Sequence, residues 1–83
     1  MEKIYGNNLK LGDEFLDPNT SKHYMVSKEL EITGRDGDDL IMTLVAINLE
    51  TNIEETFQNF HGYSTLIDLV SSTLIIGFNK SKK

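Results

Sequence analysis

The chain has 83 residues, which is enough for one small domain, and it has no cysteine, which excludes disulfide bonds and thiolate metal sites. Hydrophobic residues make up 39% and charged residues 25%, as is typical of a globular rather than a disordered chain. The net charge of −5 at pH 7 disfavours a nucleic-acid-binding surface, because phosphate contacts require clustered lysine or arginine.

Targeting and membrane signals are not evident in the sequence. Residues 1–6 lack the basic-then-apolar pattern of a signal peptide. The longest apolar stretch is also much shorter than the ~20 residues that a membrane helix needs. We therefore predict a cytoplasmic protein without a membrane partner. The many asparagine, lysine and isoleucine residues, beside a single alanine and a single proline, suggest an AT-rich bacterial or phage genome.

The first part of the chain predicts a lead-in, a strand and a turn. Residues 1–12 are expected to be irregular, with a short edge strand at Lys3–Tyr5. A first strand is predicted over Asp13–Asp17, with Phe15 in the core. The segment 17–20 has the composition of a tight turn, because Pro18 presets φ and the preceding aspartate can accept hydrogen bonds from turn amides.

The segment Tyr24–Leu49 predicts a long antiparallel hairpin. Its first arm alternates between apolar and polar residues from Tyr24 to Ile32, which indicates a half-buried strand. The return arm, residues 40–47, is apolar on both faces and is therefore expected at the centre of the sheet with cover on each side. The residues between the arms, 34–39, include two glycines and three aspartates and are suited to a bend.

The remaining elements are shorter. A strand is predicted over Ile53–Gln58, with Ile53 and Phe57 facing inward, and a loop over Asn59–Tyr63. We predict a short helix over Thr65–Ser71, because Thr65 and Asp68 have the spacing of a capping box. A strand over residues 66–70 is the alternative, since short apolar runs suit either structure. The last strand is predicted over residues 73–78, before a basic tail at 79–83.

These elements define a mainly β fold in one domain that spans residues 1–83. We expect a small five-stranded curled sheet or an SH3-like barrel with one short helix before the last strand. The order of elements from Asp13 to Phe78 resembles the SH3-like barrel. The chain lacks the acidic–aromatic motif and paired tryptophans of SH3 domains, so the resemblance does not imply a groove for proline-rich peptides.

Catalytic and metal-binding motifs are not recognised, and we predict a protein that is not an enzyme and uses no cofactor or metal. The segment 36–39, Asp-Gly-Asp-Asp, does not have the spacing of an EF-hand calcium loop. The segment Gly62-Tyr63-Ser64 begins like a nucleophile elbow, but Leu66 stands where that motif has its second glycine.

Candidate binding residues fall in two predicted loops. Aromatic residues anchor many protein interfaces, and loops on a rigid sheet often carry binding residues. Acidic residues can steer association with a basic partner. The candidate residues for contact with a partner are Phe60, His61, Tyr63, Asp36, Asp38 and Asp39.

The sequence therefore predicts a small protein-binding domain, an accessory or inhibitor protein of a phage or mobile element, whose partner is another protein with a basic surface. One alternative is a homo-oligomer or self-assembling structural subunit that pairs through the edge strand Ile53–Gln58. Another is a nucleic-acid-binding small barrel that uses Phe60, Tyr63 and the lysine tail.

Overall fold

The computed structural model of the chain describes residues 2–71. Strands make up 60% of these residues and form one antiparallel sheet, which curls into an open half-barrel. A short 3-10 helix, Gly6–Asn8, follows the first strand. The strands are β1 (Glu2–Tyr5), β2 (Glu14–Leu16), β3 (His23–Val26), β4 (Glu31–Asp36), β5 (Asp39–Asn48), β6 (Ile53–His61) and β7 (Leu66–Ser71). The prediction of a mainly β fold with a curled sheet is confirmed.

Strand β5 is the centre of the sheet. It pairs with β6 along one edge and with both β3 and β4 along the other. Alternate β5 side chains, from Leu40 to Asn48, are buried on the concave face, and the residues between them are half-buried on the convex face. The central position was predicted correctly, but within residues 2–71 only the concave face is fully covered.

The first arm of the predicted hairpin is two strands rather than one. Tyr24 and Val26 in β3 are buried, as the alternation predicts, but residues 27–30 leave the regular strand. Leu30 packs against the core from this interruption, whereas Ile32 in β4 is 61% exposed. The alternation therefore does not continue through the break, and the prediction that Ile32 faces the core was wrong.

The turn between β4 and β5 is shorter than the predicted bend over residues 34–39. Asp36 lies opposite Asp39, so only Gly37 and Asp38 connect the two strands. Gly37 has φ = 61°, the left-handed conformation that glycine adopts at the first central position of a type II′ hairpin turn.

Strand β7 replaces the predicted helix over Thr65–Ser71 and corresponds to the alternative, a strand over residues 66–70. It lies between β1 and β2 and pairs antiparallel with both. Ile67 is buried opposite Ile4, while the Asp68 carboxylate accepts a hydrogen bond from the Lys3 ammonium at 2.6 Å. Two neighbouring strands satisfy the backbone groups of this segment, and this pairing outweighs the local capping pattern.

The strand count also differs from the prediction, because residues 2–71 alone contain seven strands rather than five. The predicted resemblance to the SH3-like barrel depended on a helix where β7 lies. The short edge strand expected in the lead-in is present as β1, which includes Lys3–Tyr5. The predicted strand over residues 73–78 and the basic tail at 79–83 lie outside the described residues.

The core occupies the concave side of the sheet. Its buried members are Leu9, Phe15, Tyr24, Val26, Leu44, Ala46 and Ile67. Phe57 and Phe60 of β6 pack against this cluster, but Ile53, also predicted to face inward, is 62% exposed because it lies at the end of the strand beside the β5–β6 turn. The described residues contain no helix that is long and apolar enough to span a membrane.

Candidate binding site

The two predicted binding segments lie side by side at one end of the sheet. Strand β5 begins at the β4–β5 turn, and the register places Ile41 opposite His61 near the end of β6. The turn before β5 and the loop after β6 are therefore neighbours, although about 25 residues separate them along the chain. We call the resulting surface the tip surface, and its residues are Asp36, Asp38, Asp39, His61, Tyr63 and Ser64.

Asp39 joins the two segments of the tip surface. Its carboxylate accepts hydrogen bonds from the Tyr63 backbone N–H at 2.8 Å and from the Ser64 hydroxyl at 2.5 Å. It also accepts one from the N–H of Leu40 at 2.8 Å. The Ser64 hydrogen bond, followed by those from the two backbone amides, lowers the pKa of Asp39 below its usual value. Asp39 therefore stays ionised and fixes the loop after β6 against the turn before β5.

His61 makes a second, weaker connection between the segments. Its Nε2 lies 3.3 Å from the Asp36 carboxylate, and the two side chains are 40% and 70% exposed. A contact this exposed contributes at most about 1 kcal/mol, because water competes for both groups. Asp38, at the second position of the turn, is exposed. The tip surface thus presents carboxylates together with Tyr63, whose side chain is 45% exposed.

Phe60 does not belong to the tip surface. It faces the concave side, where it packs against the core cluster, because β6 contains an irregularity between Phe57 and Phe60. Asn59, within this bulge, has φ = 57°, and the extra residue lets the two phenylalanines point to the same side despite a spacing of three. The sequence placed Phe60 and Tyr63 in one candidate binding segment. In the structure, the bulge turns Phe60 to the concave side, whereas Tyr63 is exposed in the loop after β6.

Ser64 and Gly62 are site residues that sequence reasoning missed. The Gly62 N–H donates to the Leu40 carbonyl, and the Gly62 carbonyl accepts from the Asn7 N–H, each at 2.9 Å. A side chain at residue 62 would meet the Met42 sulfur at 2.6 Å and the Asn7 Cβ at 3.1 Å, so a larger residue would require Met42 and Asn7 to shift. The glycine in the Gly-Tyr-Ser sequence indicates a tight loop. This was missed because the segment was compared only with a nucleophile motif.

A cavity of about 160 Å³ opens on the concave face, and we call it the concave cavity. Its floor and walls are apolar, and the turn after β2 forms part of its rim. Its lining residues are Phe15, Asp17, Pro18, Asn19, Leu44, Phe57, Phe60, Thr65 and Ile67.

A polar network lies on the same face of the sheet. The Tyr24 hydroxyl donates to one Glu55 carboxylate oxygen at 3.1 Å, and the Asn48 amide donates to the other at 3.3 Å. Burial, followed by the contact with Glu55, raises the pKa of Tyr24 above its usual value. Tyr24 therefore acts as a neutral hydrogen-bond donor that links β3 to β6 across β5.

Polar side chains of the tip surface are paired with one another. No group of three or more histidine, aspartate or glutamate side chains within residues 2–71 is arranged to hold a metal ion. The Ser64 hydroxyl donates to Asp39, and the His61 ring nitrogen faces Asp36, so the histidine is turned toward a carboxylate of the turn.

Comparison with known proteins finds no matching family model, no matching curated protein and no matching solved structure.

Proposed function

We propose that this chain is a small protein-binding domain whose tip surface contacts another protein with a basic surface. The observation that carries the proposal is the set of hydrogen bonds from Tyr63 and Ser64 to Asp39. These bonds hold an acidic turn and an exposed aromatic side chain in one arrangement before any partner arrives. A preorganised surface loses less conformational entropy on binding than two independent loops would.

The charge distribution supports a basic partner. All 13 acidic residues of the chain lie within residues 2–71, together with only five of its eight lysine and arginine residues. Such an excess of negative charge accelerates encounters with a positively charged surface and slows encounters with nucleic acid. Three exposed or half-buried aspartates at the tip surface concentrate this charge beside Tyr63.

Self-association through β6 is an alternative that one observation favours. Within the described residues β6 pairs only with β5, so its other edge carries no strand. An unpaired edge is a template for pairing with another chain. The bulge at Asn59 interrupts this edge, and a bulge of this kind discourages edge pairing. We therefore place the interaction with a different protein first.

Binding of nucleic acid has less support, because Phe60 lines the concave cavity and so does not form a stacking platform with Tyr63. The lysine tail in that hypothesis lies outside the described residues. The origin in a phage or mobile element stays a hypothesis, which the codon composition of the gene tests.

The proposal is tested by affinity capture from a host lysate with matched variants. Tyr63→Ala and Asp38→Asn alter the tip surface without removing a hydrogen bond to Asp39. Ile53→Ala and Glu50→Gln are the matched controls, because these exposed residues lie at the opposite end of β5, roughly 30 Å away at the usual rise per residue. Captured proteins are identified by mass spectrometry with and without nuclease treatment.

We expect one protein that the wild type and both controls retain and that Tyr63→Ala retains at least tenfold less. A factor of ten in affinity corresponds to about 1.4 kcal/mol, which is within the range of a single aromatic contact. With the purified partner, the association rate should fall as salt rises, and less steeply for Asp38→Asn. A partner lost only with the controls would contradict the proposal. Capture that depends on nucleic acid would favour the nucleic-acid alternative, and recovery of this chain alone would favour self-assembly.

A further inference from the structure

The concave cavity has a lining that combines aromatic rings with a single charge. Among residues 2–71, nine line the cavity; three of these are phenylalanines, Phe15, Phe57 and Phe60, and Asp17 is the one charged residue of this set. None of the lining residues belongs to the tip surface, so the cavity is a separate feature.

The aromatic wall is held in place by contacts within the core. Phe15 stacks on Tyr24 with ring centroids 5.5 Å apart, and Phe57 meets the same tyrosine edge-on at 5.3 Å. The bulge in β6 then brings Phe60 to the same side as Phe57. Phe15 is only 2% exposed and lies beneath the cavity, whereas Phe57 and Phe60 are half-buried and are the rings that a ligand could contact. Both of these rings pack against the core cluster, which holds them in place.

The position of Asp17 is also fixed. Its carboxylate accepts a hydrogen bond from the Asn19 N–H at 2.8 Å, and its carbonyl accepts one from the Ser21 N–H at 2.7 Å. Its own N–H donates to the Lys22 carbonyl at 3.0 Å. The Asn19 bond uses one carboxylate oxygen, Oδ1, and the turn therefore holds a negative charge at the rim of an apolar cavity.

These features are complementary to a cation that carries apolar substituents. The face of an aromatic ring attracts positive charge, and the apolar walls favour methyl groups over water. A carboxylate at the rim adds a charge of the opposite sign. A volume of about 160 Å³ is comparable to cavities that hold one benzene-sized group, which is also the size of a trimethylammonium group. We propose that the concave cavity binds the alkylammonium group of a small organic molecule.

The experiment compares two probes of nearly equal shape, choline and its neutral isostere 3,3-dimethylbutan-1-ol. Each is titrated into the full chain, and binding is followed by the NMR shifts of cavity-lining residues and by calorimetry. Choline should bind at least tenfold more tightly than the alcohol, because only choline carries the positive charge that aromatic faces and the Asp17 carboxylate attract.

Asp17→Asn is the decisive variant, because asparagine keeps an oxygen that can accept the Asn19 hydrogen bond while the charge is lost. It should weaken choline binding about tenfold and leave the affinity for the alcohol unchanged. Asp38→Asn makes the same change of charge at the tip surface and should alter neither affinity. Phe57→Leu keeps the cavity apolar but removes a ring, and it should weaken choline more than the alcohol, with the fold checked by thermal unfolding.

Three results would overturn the inference. Equal affinity for the two probes would show an apolar hole without selectivity for cations. Equal losses in Asp17→Asn and Asp38→Asn would show a general effect of net charge. The absence of shifts with either probe at millimolar concentration would show that the cavity is not a ligand site. None of these results bears on the tip surface, whose test uses Tyr63.

Discussion

The close approach of Gly6 to Phe60 gives a quantitative test of how the 3-10 helix packs on β6. A methyl group added at Gly6 would lie 2.2 Å from two ring carbons of Phe60, whereas carbon atoms in contact are normally about 3.5–4.0 Å apart. Gly6→Ala therefore forces the ring to move by more than an ångström. Overpacking of this kind should reduce the free energy of unfolding by about 1–3 kcal/mol.

Phe60→Ala alone should reduce the free energy of unfolding by about 2 kcal/mol. Truncation of a fully buried phenylalanine costs about 3–5 kcal/mol, and Phe60 is only half-buried. In the double variant the new methyl group enters the space that the ring has left. The cost of Gly6→Ala should then fall close to zero, giving a coupling free energy of about 1–3 kcal/mol. A loss of 1 kcal/mol corresponds to about 4–8 °C in the midpoint of a domain of this size, so the effect is measurable.

The assay is equilibrium unfolding in urea of the wild type, both single variants and the double variant, with the dependence on urea compared across all four. Gly34→Ala is the control, because a methyl group there meets nothing within 4 Å, and it should change stability by no more than about 1 kcal/mol. If Gly6→Ala cost the same with phenylalanine or alanine at residue 60, the packing argument would be refuted.

Three further predictions concern other parts of the fold. Ile67 is 3% exposed and Leu66 is 45% exposed, so the two faces of β7 should respond differently to truncation. Ile67→Ala should lower the free energy of unfolding in urea by about 2–4 kcal/mol, and Leu66→Ala by less than about 1 kcal/mol. Comparable losses for the two variants would contradict the strand. Tyr24→Phe removes the hydrogen bond to Glu55 and should lower the free energy of unfolding by about 1 kcal/mol. Unchanged stability in urea would show that this hydrogen bond contributes nothing. The lowered pKa of Asp39 contributes stability at pH values above the ordinary aspartate pKa of about 4, and that stability is lost as the pH falls through the lower pKa of the folded state. The thermal midpoint of Asp39→Asn should therefore fall less steeply below about pH 4 than that of the wild type, and parallel curves would contradict this role.

The parts of the fold that were predictable from the sequence depend on local patterns. The apolar run of β5 indicated a central strand, and Phe15 was predicted to lie in the core, where it is 2% exposed. The turn after β2 follows from the same kind of signal, since the Asp17 carboxylate accepts the hydrogen bond from Asn19 that such turns require. In each case neighbouring residues contain the necessary information.

The parts that were not predictable depend on partners distant in the sequence. Leu66–Ser71 carries a local pattern for a helix, but β1 and β2 flank it and make it a strand. The break at residues 27–30 likewise arises where the partner of β5 changes from β3 to β4. Neither pairing leaves a mark in the segment itself, and tertiary contacts override a weak local propensity.

The candidate site contains both kinds of feature, those that the sequence predicts and those that depend on distant pairing. The sequence identified the acidic turn and the aromatic segment, but only the register of β5 with β6 brings Asp36 and His61 within 3.3 Å. The bulge at Asn59 turns Phe60 toward the concave cavity, whereas Tyr63, in the loop after β6, is exposed. Asparagine tolerates a positive φ better than most residues, so the signal was present, although it does not specify where a strand gains its extra residue.

This bulge explains how so small a domain can present two different surfaces from one strand. A regular β6 would place Phe57 and Phe60 on opposite faces of the sheet, leaving a ring on the convex side and removing one wall of the concave cavity. With the bulge, both rings stay on the concave face, and His61 next to them can still reach Asp36. The concave cavity and the acidic tip surface can therefore be altered separately by substitution, although their residues are adjacent in the chain.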